Sequence, residues 1–260
     1  MASVLVNGRR IRYRDAGNGR PLPDRRTLLL LHGAGASSAV WARAAALLGR
    51  TANVIAVDLP AHGRSQGPPL AGIDGGADFA RAVLDTFEVP RAVVCGHSMG
   101  GLIALRLAEL HPARVEALVL VTTGARIRVN PIVYEALSRT ADAARRLMSA
   151  TAFAGSAAPA IVETAIASWP YCTAEVASAD FAACDAFDGT AAAPRIGAPA
   201  LVVVASEDRL TPPSLGAKLA GALPHARLCE IGGAGHMLPV EQPAALAQAM
   251  SHFLDESAAA

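Results

Sequence analysis

The chain has 260 residues, enough for one large α/β domain or for one domain with an insertion, and 52% of them are hydrophobic. The formal net charge is +1, so no general electrostatic field directs the protein towards nucleic acid or an anionic membrane. The four cysteines show no C-x-x-C spacing, and no apolar run approaches the length of a membrane span. We therefore expect a cytoplasmic protein without nucleic-acid partner, metal or other cofactor.

Strands and helices alternate through the first half of the chain. Asn7-Gly8 lies between two short strand patterns, at residues 3–6 and 10–14, and is a strong signal for a hairpin. The alternation that follows predicts an α/β fold with a doubly wound, mostly parallel sheet and an antiparallel hairpin at its edge. The next predicted elements are strands at 27–31, 53–57, 92–96 and 115–121, and helices at 38–48, 73–88 and 99–111.

The pattern changes between residues 126 and 195, where alanine-rich helical stretches contain no clear buried strand. The alternation then returns, with strands at 200–205 and 227–231 and helices at 213–222 and 243–254. We interpret residues 1–125 and 196–260 as two parts of one core domain, and residues 126–195 as an inserted helical cap.

The turn after the predicted strand at 92–96 has the sequence Gly96-His97-Ser98-Met99-Gly100. This Gly-x-Ser-x-Gly pattern is typical of a sharp strand-to-helix turn, in which the glycines remove Cβ atoms that would collide. Such a turn exposes the Ser98 hydroxyl at a helix N-terminus, where the free N–H groups favour negative charge. The five residues alone do not distinguish a nucleophile from a turn that only starts a helix.

A serine nucleophile needs a base, and the base needs an oriented partner. His236 follows the predicted strand at 227–231, and Asp208 follows the one at 200–205. Because loops at the carboxyl ends of parallel strands open on one crevice, we expect both residues to meet Ser98. Glu207 is an alternative acid, whereas the loop at 122–124 offers no carboxylate.

Structural roles are expected for the other histidines. His97 is expected to point away from the attack path and to pack or form part of the pocket wall. His32 and His62 can hydrogen-bond loop backbone near the crevice. The others are interpreted as residues at the surface or at helix ends: His111, His225 and His252.

The chain resembles the α/β-hydrolases over nearly its whole length. The matching segments are residues 32–35 and 58–65, the turn at Ser98, the loop at Asp208 and the loop at Gly235-His236. The resemblance implies that Ser98 is the nucleophile, that His236 acts first as general base and then as general acid, and that Asp208 orients His236.

The resemblance also implies an oxyanion hole formed by the backbone N–H groups of Ala34 and Met99. The cap is expected to roof the crevice and to select the substrate, an apolar roof being suited to a hydrophobic acyl or aryl group. Arg126 and Arg128 are compatible with carboxylate binding, although a solvated face is the favoured interpretation. Candidates for the pocket wall are His32, Gly33, Gly35, His97, Trp169 and Met237.

The sequence as a whole predicts a serine hydrolase of carboxylic esters, with lactones as a related substrate class. One alternative is a C–C bond hydrolase of diketone-type substrates, or a lyase, that uses the same three residues. A second alternative is a ligand receptor with slow turnover. The natural substrate and the oligomeric state are left open by the sequence.

Overall fold

The structure, a computed structural model, describes residues 1–15, 21–167 and 169–258. The described residues form one sheet, whose strands are β1 Ala2–Val6, β2 Arg9–Asp15, β3 Thr27–Leu31, β4 Asn53–Val57, β5 Ala92–His97, β6 Val115–Val121, β7 Ala200–Ala205 and β8 Ala226–Ile231. The order across this eight-stranded sheet is β1-β2-β4-β3-β5-β6-β7-β8. The crossover between β4 and β5 places β3 in the centre of the sheet, next to the strand that precedes Ser98.

The hairpin at the edge and the parallel core follow from different sequence patterns. Asn7 and Gly8 both have positive φ angles, 49° and 76°, as a two-residue hairpin turn requires, and β1 pairs antiparallel with β2. The strands from β3 to β8 pair in parallel. The unbroken apolar run Thr27–Leu31 is buried at every position, because helices cover both faces of the sheet.

The helices are α1 Ala42–Leu48, α2 Gly72–Thr86, α3 Met99–Leu110, α4 Pro131–Arg139, α5 Ala141–Thr151, α6 Pro159–Ile166, α7 Ala174–Ala186, α8 Pro213–Ala222, α9 Leu238–Glu241 and α10 Pro243–Ala258. Helices α2, α3 and α8 cover one face of the sheet, and α1 and α10 cover the other. The predicted α/β class and doubly wound, mostly parallel sheet are therefore confirmed. None of the described helices is long and apolar enough to span a membrane.

One predicted helix differs from the structure, and one observed helix was not predicted. Within the predicted helix 38–48, residues Ser38–Trp41 form a 3₁₀ turn and α1 begins only at Ala42. The hydroxyl of Ser37 accepts a hydrogen bond from the N–H of Ala39 at the start of this turn. Helix α9 was not predicted, because four residues are too few to show helical periodicity.

Helices α4 to α7 are inserted between β6 and β7. Helix α7 packs against α2 and α3, and α6 packs against α9. The insertion thus contacts core helices from both faces of the sheet.

A buried ion pair joins this insertion to the core. His62 Nε2 lies 2.8 Å from Asp180 Oδ2 on α7, and His62 Nδ1 lies 2.9 Å from the carbonyl oxygen of Pro60. Because both neighbours only accept hydrogen bonds, both ring nitrogens carry a hydrogen and His62 is an imidazolium. Burial by itself lowers the pKa of His62, but the hydrogen bonds and charges of Asp180 and Cys172 outweigh it and raise the pKa to about 10.

We predict that this pair stabilises the fold in a pH-dependent manner. The unfolded histidine has a pKa of about 6.5, so the stabilisation is complete below that pH and is lost as the pH rises through about 10. The free energies of unfolding of the wild type and of His62→Gln are measured in urea across this pH range. Their difference should shrink steadily as the pH rises, whereas a constant difference would contradict a charged His62.

Candidate active site

Ser98 lies on a crowded turn between β5 and α3. Its φ and ψ angles are 52° and −117°, a region that residues other than glycine rarely adopt. A Cβ atom on Gly96 would lie 2.1 Å from the carbonyl oxygen of Gly100, and one on Gly100 would lie 2.3 Å from that of Leu31. Both positions therefore accept only glycine, and the turn directs Ser98 away from the sheet.

His236 and Asp208 form a buried hydrogen-bonded pair, with 2.9 Å between His236 Nδ1 and Asp208 Oδ2. Thr211 Oγ1 donates to Asp208 Oδ2 at 2.7 Å, and the N–H groups of Leu210 and Thr211 donate to Oδ1 at 2.8 Å each. Burial raises the pKa of Asp208, but the charge and hydrogen bond of His236 and the bonds from Thr211 lower it below its ordinary value. The ionised carboxylate holds the Nδ1–H of His236, so Nε2 is left as the basic nitrogen.

The alternative acid, Glu207, points elsewhere. Its Oε2 atom accepts a hydrogen bond from the N–H of Gly155 in the insertion, at 3.0 Å. The two neighbouring side chains leave the loop in different directions, so Asp208 bonds to His236 while Glu207 bonds to the insertion.

The loop that carries His236 is held by its backbone. His97 Nε2 donates to the carbonyl oxygen of His236 at 2.9 Å, and Thr122 Oγ1 donates to the same oxygen at 3.2 Å. The N–H of Gly235 donates to Glu241 Oε1 at 3.0 Å. Burial raises the pKa of Glu241. These contacts hold the backbone of the loop that carries His236.

A cavity of about 350 Å³ opens beside Ser98 and His236. Core loops contribute Ala34, Ser98 and His236 to its wall, and the insertion contributes mainly apolar side chains: Ile132, Val133, Leu147, Met148 and Phe181. Within the described residues, Ser98 Oγ makes no hydrogen bond. Ser98 and His236 nevertheless face the same cavity.

The residues expected in the pocket wall lie elsewhere. Trp169 and Met237 line a second cavity of about 390 Å³ beneath α6, and not the cavity at Ser98. A Cβ atom on Gly35 would lie 3.2 Å from the indole nitrogen of Trp169, so Gly35 faces the insertion. Gly33 backs onto Ser98, since a Cβ atom there would lie 3.0 Å from Ser98 Cβ. None of these four residues lines the cavity at Ser98.

Two histidines expected in the wall are buried instead. His32 accepts a hydrogen bond from the N–H of Leu59 at Nε2, 3.0 Å away, and its Nδ1 lies 2.8 Å from the carbonyl oxygen of Gly33. His97 lies beneath the loop of His236. Burial lowers the pKa of each ring to about 3, so both are neutral. Their hydrogen bonds to the backbone turn the rings into the core and away from the cavity.

Sequence reasoning missed Thr211 and Thr122, which support the His236–Asp208 pair. Thr211 Oγ1 lies 3.1 Å from His236 Nδ1 and 2.9 Å from the carbonyl oxygen of Thr122. The signal for Thr211 was the turn that begins at Asp208, because an aspartate commonly accepts hydrogen bonds from N–H groups two and three residues later. Thr122 had no such signal in its own sequence.

Arginines give the mouth of the cavity a positive charge. Arg128 lines it, with its guanidinium 3.4 Å from Asp185, and Arg209, which the sequence reading did not single out, lines it too. Arg126 instead pairs with Asp188 at 3.2 Å and lies away from the cavity. Among the described residues of the cavity wall, the only acidic or basic side chains are those of Arg128, Arg209 and His236.

Comparison with known proteins gives matches along most of the chain. The Alpha/beta hydrolase family model matches residues 28–249. The chain is 32% identical over 255 residues to the proposed carbamate hydrolase RutD of Variovorax paradoxus, covering 89% of this chain and 92% of that protein. It is 29% identical over 277 residues to the 2-hydroxy-6-oxononadienedioate/2-hydroxy-6-oxononatrienedioate hydrolase of Paraburkholderia phymatum, covering 98% and 94% of the two chains.

Among solved structures, the enol-lactonase from Burkholderia xenovorans LB400 is 28% identical with a TM-score of 0.86, covering 98% of this chain and 100% of that chain. Some curated relatives are much longer than this chain. An uncharacterized protein of Mycobacterium tuberculosis is matched over 51% of this chain but only 38% of its own length.

We predict that Gly96→Ala destabilises the protein by about 3 kcal/mol or more, because overpacking against backbone cannot be relieved by a rotamer change. Gly221→Ala is the matched control: nothing lies within 4 Å of a Cβ atom at this position in α8. There, alanine should stabilise the fold by about 0.4–1 kcal/mol, since it restricts the unfolded chain. Unfolding in urea measures both, and equal stabilities for the two variants would contradict the crowded turn.

Proposed function

This chain belongs to the alpha/beta hydrolase family, and we propose that it is a hydrolase that cleaves carboxylic esters, lactones included, through an acyl-enzyme on Ser98. The supporting observation is that Ser98 and His236 line one cavity from two different loops, while Asp208 hydrogen-bonds to His236 from a third loop. The similarity to an enol-lactonase, over 98% of this chain and 100% of that chain, supports the same reaction class, since a lactone is a cyclic ester.

In the proposed mechanism, Ser98 Oγ attacks the ester carbonyl carbon while His236 Nε2 takes the hydroxyl proton. Asp208 holds the Nδ1–H of His236 and stabilises the imidazolium that forms. The tetrahedral intermediate then expels the alcohol, which receives the proton from His236, and the acyl group stays on Ser98. Water, deprotonated by His236, attacks this acyl-enzyme, and the acid product leaves as Ser98 regains its proton.

The N–H groups of Ala34 and Met99 are proposed to stabilise the oxyanion. Ala34 lines the same cavity as Ser98, and Met99 is the first residue of α3. The first N–H groups of a helix have no partner within it, and the helix dipole adds positive potential there. Losing one such donor costs about 2.7–4 kcal/mol of transition-state stabilisation.

We also propose the division of the chain into a core, residues 1–125 and 196–260, and a cap, residues 126–195. The cap supplies most of the apolar wall of the cavity, including Leu147, Met148 and Phe181. A hydrophobic acyl or aryl group would bury its surface against these side chains. In this proposal the core provides the reacting residues, and the cap selects the substrate.

The positive mouth of the cavity favours substrates that also carry a carboxylate. Arg128 is partly neutralised by Asp185, whereas Arg209 hydrogen-bonds the carbonyl oxygen of Phe153 and forms no ion pair with a described residue. Guanidinium groups recognise carboxylates well, and a positive mouth raises the local concentration of anions.

C–C bond hydrolysis is the second candidate function, and the positive mouth of the cavity favours it too. The related hydrolase of Paraburkholderia phymatum is named for a dicarboxylate substrate, which a positive mouth would suit. In that case the chain would act on an acidic diketone-type compound with the same three residues. A panel of short-chain esters, lactones and acidic diketones, compared by kcat/KM, distinguishes the two candidates.

We expect Ser98→Ala to lower kcat on a simple aryl ester by at least about 10⁴-fold, because the nucleophile is lost. Asp208→Asn should lower it by about 10⁴-fold, because the amide favours the wrong tautomer of His236. Ser251→Ala is the control, since this serine lies on α10 away from the cavity. Full esterase activity in Ser98→Ala would overturn the proposed function.

We expect Arg209→Gln to raise KM for an anionic substrate by about fivefold, equivalent to about 1 kcal/mol for an exposed charge pair. An aryl succinate half-ester is compared with the neutral aryl butyrate, for which KM should not change. Arg146→Gln makes the same charge change on α5 outside the cavity and should affect neither ester. An equal increase in KM for both esters would contradict carboxylate recognition.

A further inference from the structure

Cap residues hydrogen-bond to the turn that contains Ala34. This turn, residues 33–36, is closed by a hydrogen bond of 3.2 Å from the N–H of Ala36 to the carbonyl oxygen of Gly33. Gly35 has a φ of +62°, so the peptide between Ala34 and Gly35 has an orientation that glycine permits and most residues resist. Ala34 itself faces the cavity.

Cap residues bind both polar groups of Gly35. Its N–H donates to Asp180 Oδ2 at 2.9 Å, and its carbonyl oxygen accepts from the N–H of Tyr171 at 2.8 Å. The carbonyl oxygen of Tyr171 in turn accepts from the N–H of Gly63 at 2.7 Å. The core loops that contain Gly35 and Gly63 are therefore connected to each other through the cap.

The buried pair of His62 and Asp180 belongs to this connection. Asp180 Oδ2 accepts from His62 Nε2 at 2.8 Å as well as from Gly35, and both side chains are almost completely buried. A buried ion pair is weak evidence for stability, because removing charges from water costs much of the attraction gained. Here the carboxylate has a second task, which is to hold a backbone N–H beside the cavity.

We propose that Asp180 is a positioning residue for the oxyanion hole. It acts through Gly35, whose N–H it holds, and thereby fixes the turn that presents the Ala34 N–H to the reacting carbonyl. His62 holds Asp180 in place from the opposite side. The inference rests on the proposed function, because Ala34 is an oxyanion donor only if Ser98 attacks a carbonyl group.

The position of α7 is consequently part of the catalytic geometry. If α7 moved away from the core, the N–H of Gly35 would lose its acceptor and the turn at Ala34 would be free to change its peptide orientation. The proposal therefore requires that the α7 side of the cap stays closed during turnover.

The test compares the wild type with Asp180→Ala, Asp180→Asn and the control Glu175→Gln, an exposed position on the same helix. We expect Asp180→Ala to lower kcat on an aryl ester about 10- to 100-fold, below the 10²- to 10³-fold loss typical of deleting a whole donor. Asp180→Asn retains an oxygen acceptor for Gly35 and should lie between Asp180→Ala and the wild type. KM should stay within about twofold throughout, because the oxyanion forms only after binding.

Binding of an aryl boronic acid, which forms a tetrahedral adduct with a serine hydroxyl, gives a second readout. Its affinity should fall by the same factor as kcat in each Asp180 variant and stay unchanged in Glu175→Gln. A lower melting temperature with unchanged kcat and boronic acid affinity would show that Asp180 is only structural and would overturn the proposal. If Asp180→Ala does not fold, Asp180→Asn and His62→Gln decide the question by the same two measurements.

The outcomes also separate this inference from the proposed function. An active wild type whose kcat is insensitive to Asp180 would overturn the inference alone. A wild type that neither hydrolyses aryl esters nor binds the boronic acid would overturn the proposed function, and the inference with it.

Discussion

The turn after β5 leaves no space for a Cβ atom at Gly96 or Gly100, and the rest of the site depends on this close approach. The backbone of Gly100 lies against the end of β3, so α3 begins directly above the sheet. Ser98 has a positive φ angle at the position directly before α3. Because β5 lies between β3 and β6 in a parallel sheet, the loops after the neighbouring strands reach the same side. One local packing constraint therefore determines where Ser98 lies relative to His236 and to the backbone N–H groups of the neighbouring loops.

Hydrogen bonds from two parts of the chain, the core and the cap, hold the residues around this turn. The core holds the His236–Asp208 pair through Thr211, Thr122 and His97, which are all in loops or strand ends of the sheet. The cap holds the turn at Ala34 through Asp180. In the proposed mechanism, the base is thus positioned by the core and the oxyanion hole by the cap. A cap that selects the substrate would then also influence the rate.

The sheet was readily predicted from the sequence, because buried parallel strands appear as unbroken apolar runs between turn residues. The predicted bounds of β3, β4, β6 and β7 match the structure. The pocket wall was not predicted, since the sequence does not show whether a histidine such as His32 faces the cavity or turns to bond the backbone. The link between His62 and Asp180 joins residues 118 positions apart, and the alanine-rich pattern of α7 shows no clear apolar face. Long-range polar pairs of this kind leave no local pattern.

The central claim is that Ser98 carries the acyl group during turnover. Mass spectrometry tests it most directly, by measuring the wild type quenched in acid during turnover of a short-chain aryl ester, with His236→Ala as a second protein, because acid stops deacylation and traps the intermediate. The account predicts that the intact protein gains the mass of one acyl group and that the modified peptide contains Ser98. A wild type that hydrolyses the ester while neither protein forms an adduct, or an adduct on another residue that Ser98→Ala does not abolish, would contradict it.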